Sequence, residues 1–241
     1  MKNLSFGLLQ CRNPGDSMLE HEVACFQEAL EIARSQILPL NIVDAQPHTG
    51  LLDEVDVILV GGAGDYSVLD RSEFLPPFFQ LFIEICERGI PTFASCFGFQ
   101  AMCLALGGEI IKDLENTEVG TFQLCLTESG IGDDIFGILP ETFCAQLGHK
   151  DRAAVLPADA INLATSDRSP FQAFKIENKP IYATQFHPEL TMAQNRERFE
   201  RYIAGYSHLE DPAVEQAIRQ SFRPSHETRL LLTKFIDVVF R

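Results

Sequence analysis

Basic residues are scarce in this chain of 241. Only 19 Lys and Arg stand against 34 Asp and Glu, a formal net charge of −15. That balance repels phosphate backbones and anionic bilayers, so neither a nucleic acid nor a membrane is expected as a partner. No apolar run approaches the roughly 18–20 residues of a membrane span. The stretch Leu4 to Leu9 is too short, and too quickly broken by Asn13-Pro14-Gly15, for a signal peptide, and it reads as a first strand. Seven cysteines with no Cys-x-x-Cys suggest neither a disulfide framework nor a zinc ribbon, and fit a reducing cytoplasmic setting. The segment His21-Glu22-Val23-Ala24-Cys25 nearly matches a zinc-protease helix, but cysteine stands where the second histidine belongs. On an acidic amphipathic helix it reads as surface plus core, and no metal or cofactor is expected. Internal repeats and low-complexity segments are absent.

What is present is ample apolar material. At 46% hydrophobic and 22% charged, the composition supports a full core and excludes disorder. Strands and helices alternate through the first half: strand 4–10, helix 17–36, strand 40–45, strand 55–61, helix 70–88, strand 91–95 and helix 96–107, the last closed by Gly107-Gly108. This predicts an α/β fold with an open, mainly parallel central sheet and helices on both faces. Residues 109–174 are strand-rich and broken by turns, with strands at 120–127, 143–146 and around 161–163 and 172–175. After a strand at 181–186, residues 191–204 read as a helix with Arg196, Arg198 and Arg201 exposed. Two more helices, 213–222 and 227–240, follow. The second carries an apolar stripe too dense to leave in water, so it either packs back on the domain or forms an oligomer interface.

Three segments carry chemistry. In Ile90 to Gly108 a short apolar run ends at Ser95 and a helical pattern starts at once, which leaves Cys96 on the corner. A strand-to-helix elbow presents a nucleophile to the ligand side of the sheet. The first free N–H groups of the helix favour the reactive thiolate. Gly98 is expected to let a substrate approach the backbone, and Gln100 to reach back one turn toward a ligand held at the sulfur.

In Ile181 to Leu190 a β-branched and aromatic strand closes on His187-Pro188-Glu189. Pro188 biases His187 toward extended geometry, and residues two apart in an extended chain face one side. Glu189 can then accept the imidazole N–H, fix the tautomer and stabilise the imidazolium. Cys96, His187 and Glu189 thus make a nucleophile, a base and its orienter. The third segment is a strand from Val55 to Val60 followed by Gly61-Gly62-Ala63-Gly64-Asp65. Glycines after a strand let backbone N–H groups face a phosphate or an oxyanion. The third glycine of a dinucleotide fingerprint is missing and no Gly-Lys-Ser/Thr follows, so beside a thiol the oxyanion reading is preferred.

Together these segments, with Gln146 to Arg152 and Leu156-Pro157, resemble the class I, triad-type glutamine amidotransferases, and especially the glutaminase half of GMP synthetase. The likeness spans residues 1–205, with 206–241 as a C-terminal helical extension, and implies a flavodoxin-like fold. It implies hydrolysis of the glutamine side-chain amide through a γ-glutamyl thioester on Cys96, with His187 as base and then acid. It also implies an oxyanion hole from the N–H groups of Gly62 and Phe97, and substrate contacts from Gln100, Gly64 and the backbone near Lys150 and Asp151. Relatives usually have glycine where Ala94 stands, often histidine at Phe99 and proline at Ala63. Ala94 is small enough to keep the turn, and Phe99 reads as a packing change. No ATP-binding half is found in these residues, so the ammonia would pass to a separate synthetase or acceptor partner. Two alternatives stand beside this reading: a hydrolase of γ-glutamyl amides or peptides with the same triad, and a non-catalytic protein on this fold. His149, without an adjacent carboxylate other than Asp151 two residues on, is expected to shape the pocket or order its loop.

Overall fold

The computed structural model describes residues 4–45, 49–204, 206 and 211–241. The expected junction at 205 and 206 lies partly outside them. In the first half, β1 (Phe6–Cys11), α1 (Met18–Leu30), β2 (Ile37–Asn41), α2 (Leu51–Glu54), β3 (Val57–Ala63), α3 (Leu75–Arg88), β4 (Thr92–Ser95) and α4 (Phe97–Ala105) follow one another. The strand-rich middle holds β5 (Glu109–Lys112), β6 (Glu118–Leu126), α5 (Glu128–Ile131), β7 (Thr142–His149), β8 (Asp151–Val155), β9 (Ala160–Thr165), β10 (Ala173–Ile176) and β11 (Ile181–Thr184). Three helices follow among the described residues: α6 (Met192–Tyr202), α7 (Pro212–Ser221) and α8 (His226–Val239).

Nine strands form one sheet in the order β2-β1-β3-β4-β11-β10-β9-β6-β7. The first five in that order run parallel, in the doubly wound, flavodoxin-like arrangement, and the other four extend the sheet antiparallel. Strands β5 and β8 pair separately. Side-chain alternation divides each central strand between two cores. Phe6, Leu8, Val57, Leu59 and Phe93 enter one, while Leu9, Cys11, Ile58, Val60 and Ala94 enter the other. Apolar residues of α1 and α8 cover the first face, and those of α3 and α4 the second. The expected α/β sheet, covered on both faces, is what the chain forms.

Boundaries differ where a local stop intervenes. Helix α1 ends at Leu30 rather than 36, because Glu31 takes a left-handed conformation (φ 54°). Its N–H bonds to the Glu28 carbonyl and the Ile32 N–H to the Gln27 carbonyl, a Schellman closure that drops Ile32 into the core. The chain is thereby free for β2 to start at Ile37, and an edge strand tolerates Pro39. Helix α3 begins at Leu75 rather than 70, with Pro76 and Pro77 in its first turn, where a missing N–H does no harm. Helix α8 buries Leu231, Leu232, Phe235 and Ile236, with the Phe235 ring edge-on to Phe93 and Tyr182.

Candidate active site

Between β4 and α4 only Cys96 remains, at φ 51° and ψ −99°. A non-glycine residue there is strained by roughly 1–3 kcal/mol and persists only where its surroundings impose it. Here its N–H donates to the Thr184 carbonyl of β11 at 2.7 Å, and its carbonyl accepts the Gln100 N–H at 3.0 Å. The residue is 7% exposed and borders a cleft of about 250 Å³. Gln185 Nε2 stands 3.7 Å from the sulfur, and the Gly148 carbonyl 3.9 Å from it. Gly98 does not serve a substrate approach. A Cβ there would lie 2.7 Å from Val60 Cγ1 and 3.1 Å from Ala94 Cβ, so its smallness lets α4 sit close on the sheet. Phe99 packs on Phe174.

Beyond β11, the His187 N–H donates to the Gln146 carbonyl. This fixes the backbone that aims the ring. Nδ1 then donates to Glu189 Oε1 at 2.7 Å, the side chains being 6% and 0% exposed. The Cys96 sulfur acts on the same imidazole by charge. Burial works against a charged ring, but the Glu189 carboxylate and the Cys96 sulfur outweigh it and push the His187 pKa up to about 9. Burial likewise opposes the Glu189 carboxylate, and His187 and Arg198 overcome that and hold its pKa low.

The glycine segment differs in kind from the expectation. Strand β3 runs on to Ala63, and neither Gly61, Gly62 nor Gly64 has positive φ. Their smallness accommodates neighbours. A Cβ on Gly61 would strike the Glu22 carboxylate, one on Gly62 would lie 2.8 Å from His187 Cε1, and one on Gly64 would strike the Tyr202 ring. Gly62 faces the histidine, whereas Ala63, Gly64 and Phe97 line the cleft.

Gln100, His149, Lys150 and Asp151 line the cleft too. Gln100 Nε2 donates to the Asp151 carbonyl at 2.7 Å and to Gln185 Oε1 at 3.2 Å. Asp151, 5% exposed, accepts the Ser67 hydroxyl on Oδ2 at 2.5 Å, and its Oδ1 has no partner. His149 does have a carboxylate: Glu118 Oε2 lies 3.0 Å from Nε2, and the Asp151 carbonyl 3.0 Å from Nδ1. Glu118 comes from the paired strand β6, 31 positions away, so local spacing could not reveal it.

Arg198 is not exposed. It is 7% accessible, with Nη1 3.4 Å from Glu189 Oε1 and Nη2 3.3 Å from Glu22 Oε1. Glu22, fully buried, also accepts from Arg12 Nη2 at 2.8 Å and from Gln10 Nε2 at 3.1 Å. Arg12 Nη1 donates to Tyr202 Oη at 2.7 Å, and Tyr202 donates to Asp16 at 2.6 Å. A line of buried charges thus runs away from the histidine.

A cysteine on a strained elbow, an imidazole held by a carboxylate and a polar cleft beside them are the equipment of acyl transfer. The family comparison agrees in class. The model of the glutamine amidotransferase class-I family matches residues 15–203, and the chain belongs to that family. Among curated relatives, GMP synthase (glutamine-hydrolyzing) of Enterobacter sp. (strain 638) is 28% identical over 186 residues, 73% of this chain and 34% of that protein. The GMP synthase of Shewanella oneidensis is 30% identical over 153 residues, 61% of this chain and 28% of that protein. The chain therefore spans about a third of the length of these relatives. Among solved structures, a glutamine amidotransferase from Thermotoga maritima superposes with a TM-score of 0.72 at 21% identity, covering 97% of both chains. One from Methylobacillus flagellatus gives 0.71 at 14% identity, covering 98% of this chain and 95% of its own. At such identities the likeness speaks for the fold. No helix among the described residues is long and apolar enough to cross a membrane.

Proposed function

We propose that the protein hydrolyses the side-chain amide of glutamine through a γ-glutamyl thioester on Cys96. The observation that carries this reading is the 2.7 Å pairing of His187 with Glu189, with the elbow sulfur near enough to act on the same ring by charge. In this scheme the thiol proton already rests on His187 Nε2 as sulfur attacks the amide carbon, and passes from there to the departing nitrogen. Ammonia leaves and the thioester remains. Water then attacks the thioester carbon, giving its proton to Nε2 and on to the sulfur, and glutamate is released. Glu189 keeps Nδ1 protonated so that Nε2 is the working nitrogen.

The developing oxyanion would be met by the N–H groups of Phe97, at the first turn of α4, and of Gly62. Gln100, Gly64 and the backbone at Lys150 and Asp151 would hold the substrate. Asp151 adds a feature of its own. A buried carboxylate oxygen without a donor is costly, and the α-ammonium of glutamine would relieve it. The likeness to GMP synthases favours delivery of the ammonia to a synthetase or acceptor partner.

The test is thioester trapping on Cys96 with a panel of γ-glutamyl donors, scoring free ammonia against released amine. Glutamine should acylate Cys96 and release ammonia. Acylation by γ-glutamyl peptides alone would overturn the glutaminase reading and leave the mechanism standing. No acylation by any donor, with or without a synthetase, would leave a non-catalytic protein on this fold.

A further inference from the structure

Behind the pairing of His187 and Glu189 lie two guanidiniums and a second carboxylate with almost no access to solvent. Side-chain exposure is 1% for Arg12, 0% for Glu22, 8% for Arg198 and 0% for Glu189. The order of charge is alternating: Glu189, Arg198, Glu22, Arg12. Such a run is a poor device for stability, since each ion loses its hydration and Arg12 Nε, Arg198 Nε and Glu189 Oε2 have no hydrogen-bond partner. Its placement points to another use.

Arg198 contacts at 3.3–3.5 Å: Glu22 on one side, Glu189 Oε1 and His187 Nδ1 on the other. These are looser than the 2.8 Å bond from Arg12 to Glu22. Arg198 thus acts on the pair through charge more than through a directed bond. We infer that Arg198 is a positioning residue whose guanidinium, wedged between Glu189 and Glu22, offsets part of the Glu189 charge so that His187 can still release the proton it holds. Glu22 sets how much of that cation the pair feels, and Arg12 holds Glu22.

The physical need is plain. In the proposed reaction the ring must carry a proton to the leaving nitrogen and then take one from water, so a histidine held too firmly in its charged form stalls the second step. A carboxylate alone would hold it so. The groups that face this ring and its carboxylate are Cys96 at the start of α4, Arg198 and Tyr202 on α6, His21, Glu22 and Cys25 on α1, Arg12 after β1, and Tyr206 near the sulfur. Of these, Arg198 is the cation in contact with both members of the pair. The site for it is built: Gly61 admits the Glu22 carboxylate, and a Cβ on Gly62 would lie 2.8 Å from His187 Cε1 and 3.8 Å from Arg198 Nη1.

This inference rests on the glutaminase reading for its purpose, but its test needs no substrate. In a full-length Cys96→Ala background, the titration of His187 is followed by NMR of labelled imidazole. Arg198→Met should raise its midpoint by about one pH unit. Glu22→Gln should lower it by about half a unit, because Arg198 is then less neutralised. Arg198→Lys, which keeps the charge, should hold it within about 0.3 unit. A purely structural role predicts no opposed movement. An unmoved midpoint in Arg198→Met, or movement in the same direction in Glu22→Gln, would overturn the inference. If Arg198→Met does not fold, Arg198→Lys and Glu22→Gln decide it. With Cys96 restored, the acid limb of kcat for glutamine should follow the midpoints. Midpoints that move as expected without glutamine turnover sink the glutaminase reading alone; turnover with static midpoints sinks the role of Arg198 alone.

Discussion

Replacing Glu189 by glutamine separates two services the carboxylate performs for His187, naming the nitrogen that holds the proton and supplying charge. Oε1 lies between two donors, His187 Nδ1 at 2.7 Å and Arg198 Nη1 at 3.4 Å, whereas Oε2 has none. A glutamine amide would therefore put its oxygen at the Oε1 position, since the reverse would face its NH2 toward a guanidinium. The tautomer survives and the charge is lost. The His187 pKa, lifted from 6.5 to about 9, should fall back by about 2 units, worth about 3 kcal/mol. Coulomb's law at an effective dielectric of 20 gives roughly 4 kcal/mol for unit charges 4 Å apart, the same order. The expected loss in kcat/KM for glutamine is about 10²-fold. A base left in the wrong tautomer loses about 10⁴-fold. Stability carries a second readout. A histidine with raised folded-state pKa stabilises the fold fully below the unfolded value of 6.5, and that contribution is lost as pH rises through about 9. The native chain should thus weaken between those limits, and Glu189→Gln should lack most of that slope. Ammonia release across pH and thermal melts at either end of the window measure both. A 10⁴-fold loss with the stability slope intact would refute the argument.

Other substitutions test other parts of the structure. Cys96→Gly should unfold at higher denaturant than Cys96→Ala by about 1 kcal/mol, because release from strain at φ 51° exceeds the entropy cost of glycine. Equal midpoints would remove the strain, and neither variant should form a thioester. His187→Ala should abolish turnover, while His149→Ala should act mainly on KM and on stability, as its ring bridges Glu118 and the Asp151 carbonyl. Equal, near-total loss of kcat in both would count against His187 as the base. Phe235→Ala should destabilise the fold by about 3–5 kcal/mol in a urea titration, since the ring is fully buried against Phe93 and Tyr182. A cost under about 1 kcal/mol would mean that α8 is not part of the core.

The legible parts of the site were those written in consecutive residues. Ser95-Cys96-Phe97 announces an elbow by an abrupt change of periodicity, and His187-Pro188-Glu189 sets its own two-residue alignment. The α/β alternation gave the layers for the same reason. What escaped depends on pairing across distance, as with Glu118 on β6 and His149 on β7. Gly98 is a case in point, since it serves close packing of α4 on the sheet rather than a ligand, and Gly61, Gly62 and Gly64 also leave room for Glu22, His187 and Tyr202. Arg198 and Glu22, by contrast, were within reach. Glu22 sits in the buried stripe of α1 with Met18, Cys25, Phe26 and Ala29, and Arg198 in that of α6 with Asn195, Phe199 and Tyr202. A charge on an apolar helical face needs a partner, and two such charges of opposite sign point to each other.

The buried line of charges also bears on the order in which the candidate site is assembled. Its members come from distant parts of the sequence, Arg12 and Glu22 from one and Arg198 from another 176 positions after Glu22. A nascent chain halted after Leu190 would hold cysteine, histidine and glutamate, yet α6 and its cation would still be unmade. Synthesis would then complete the proposed reactive groups first and supply the tempering cation nine residues after Glu189.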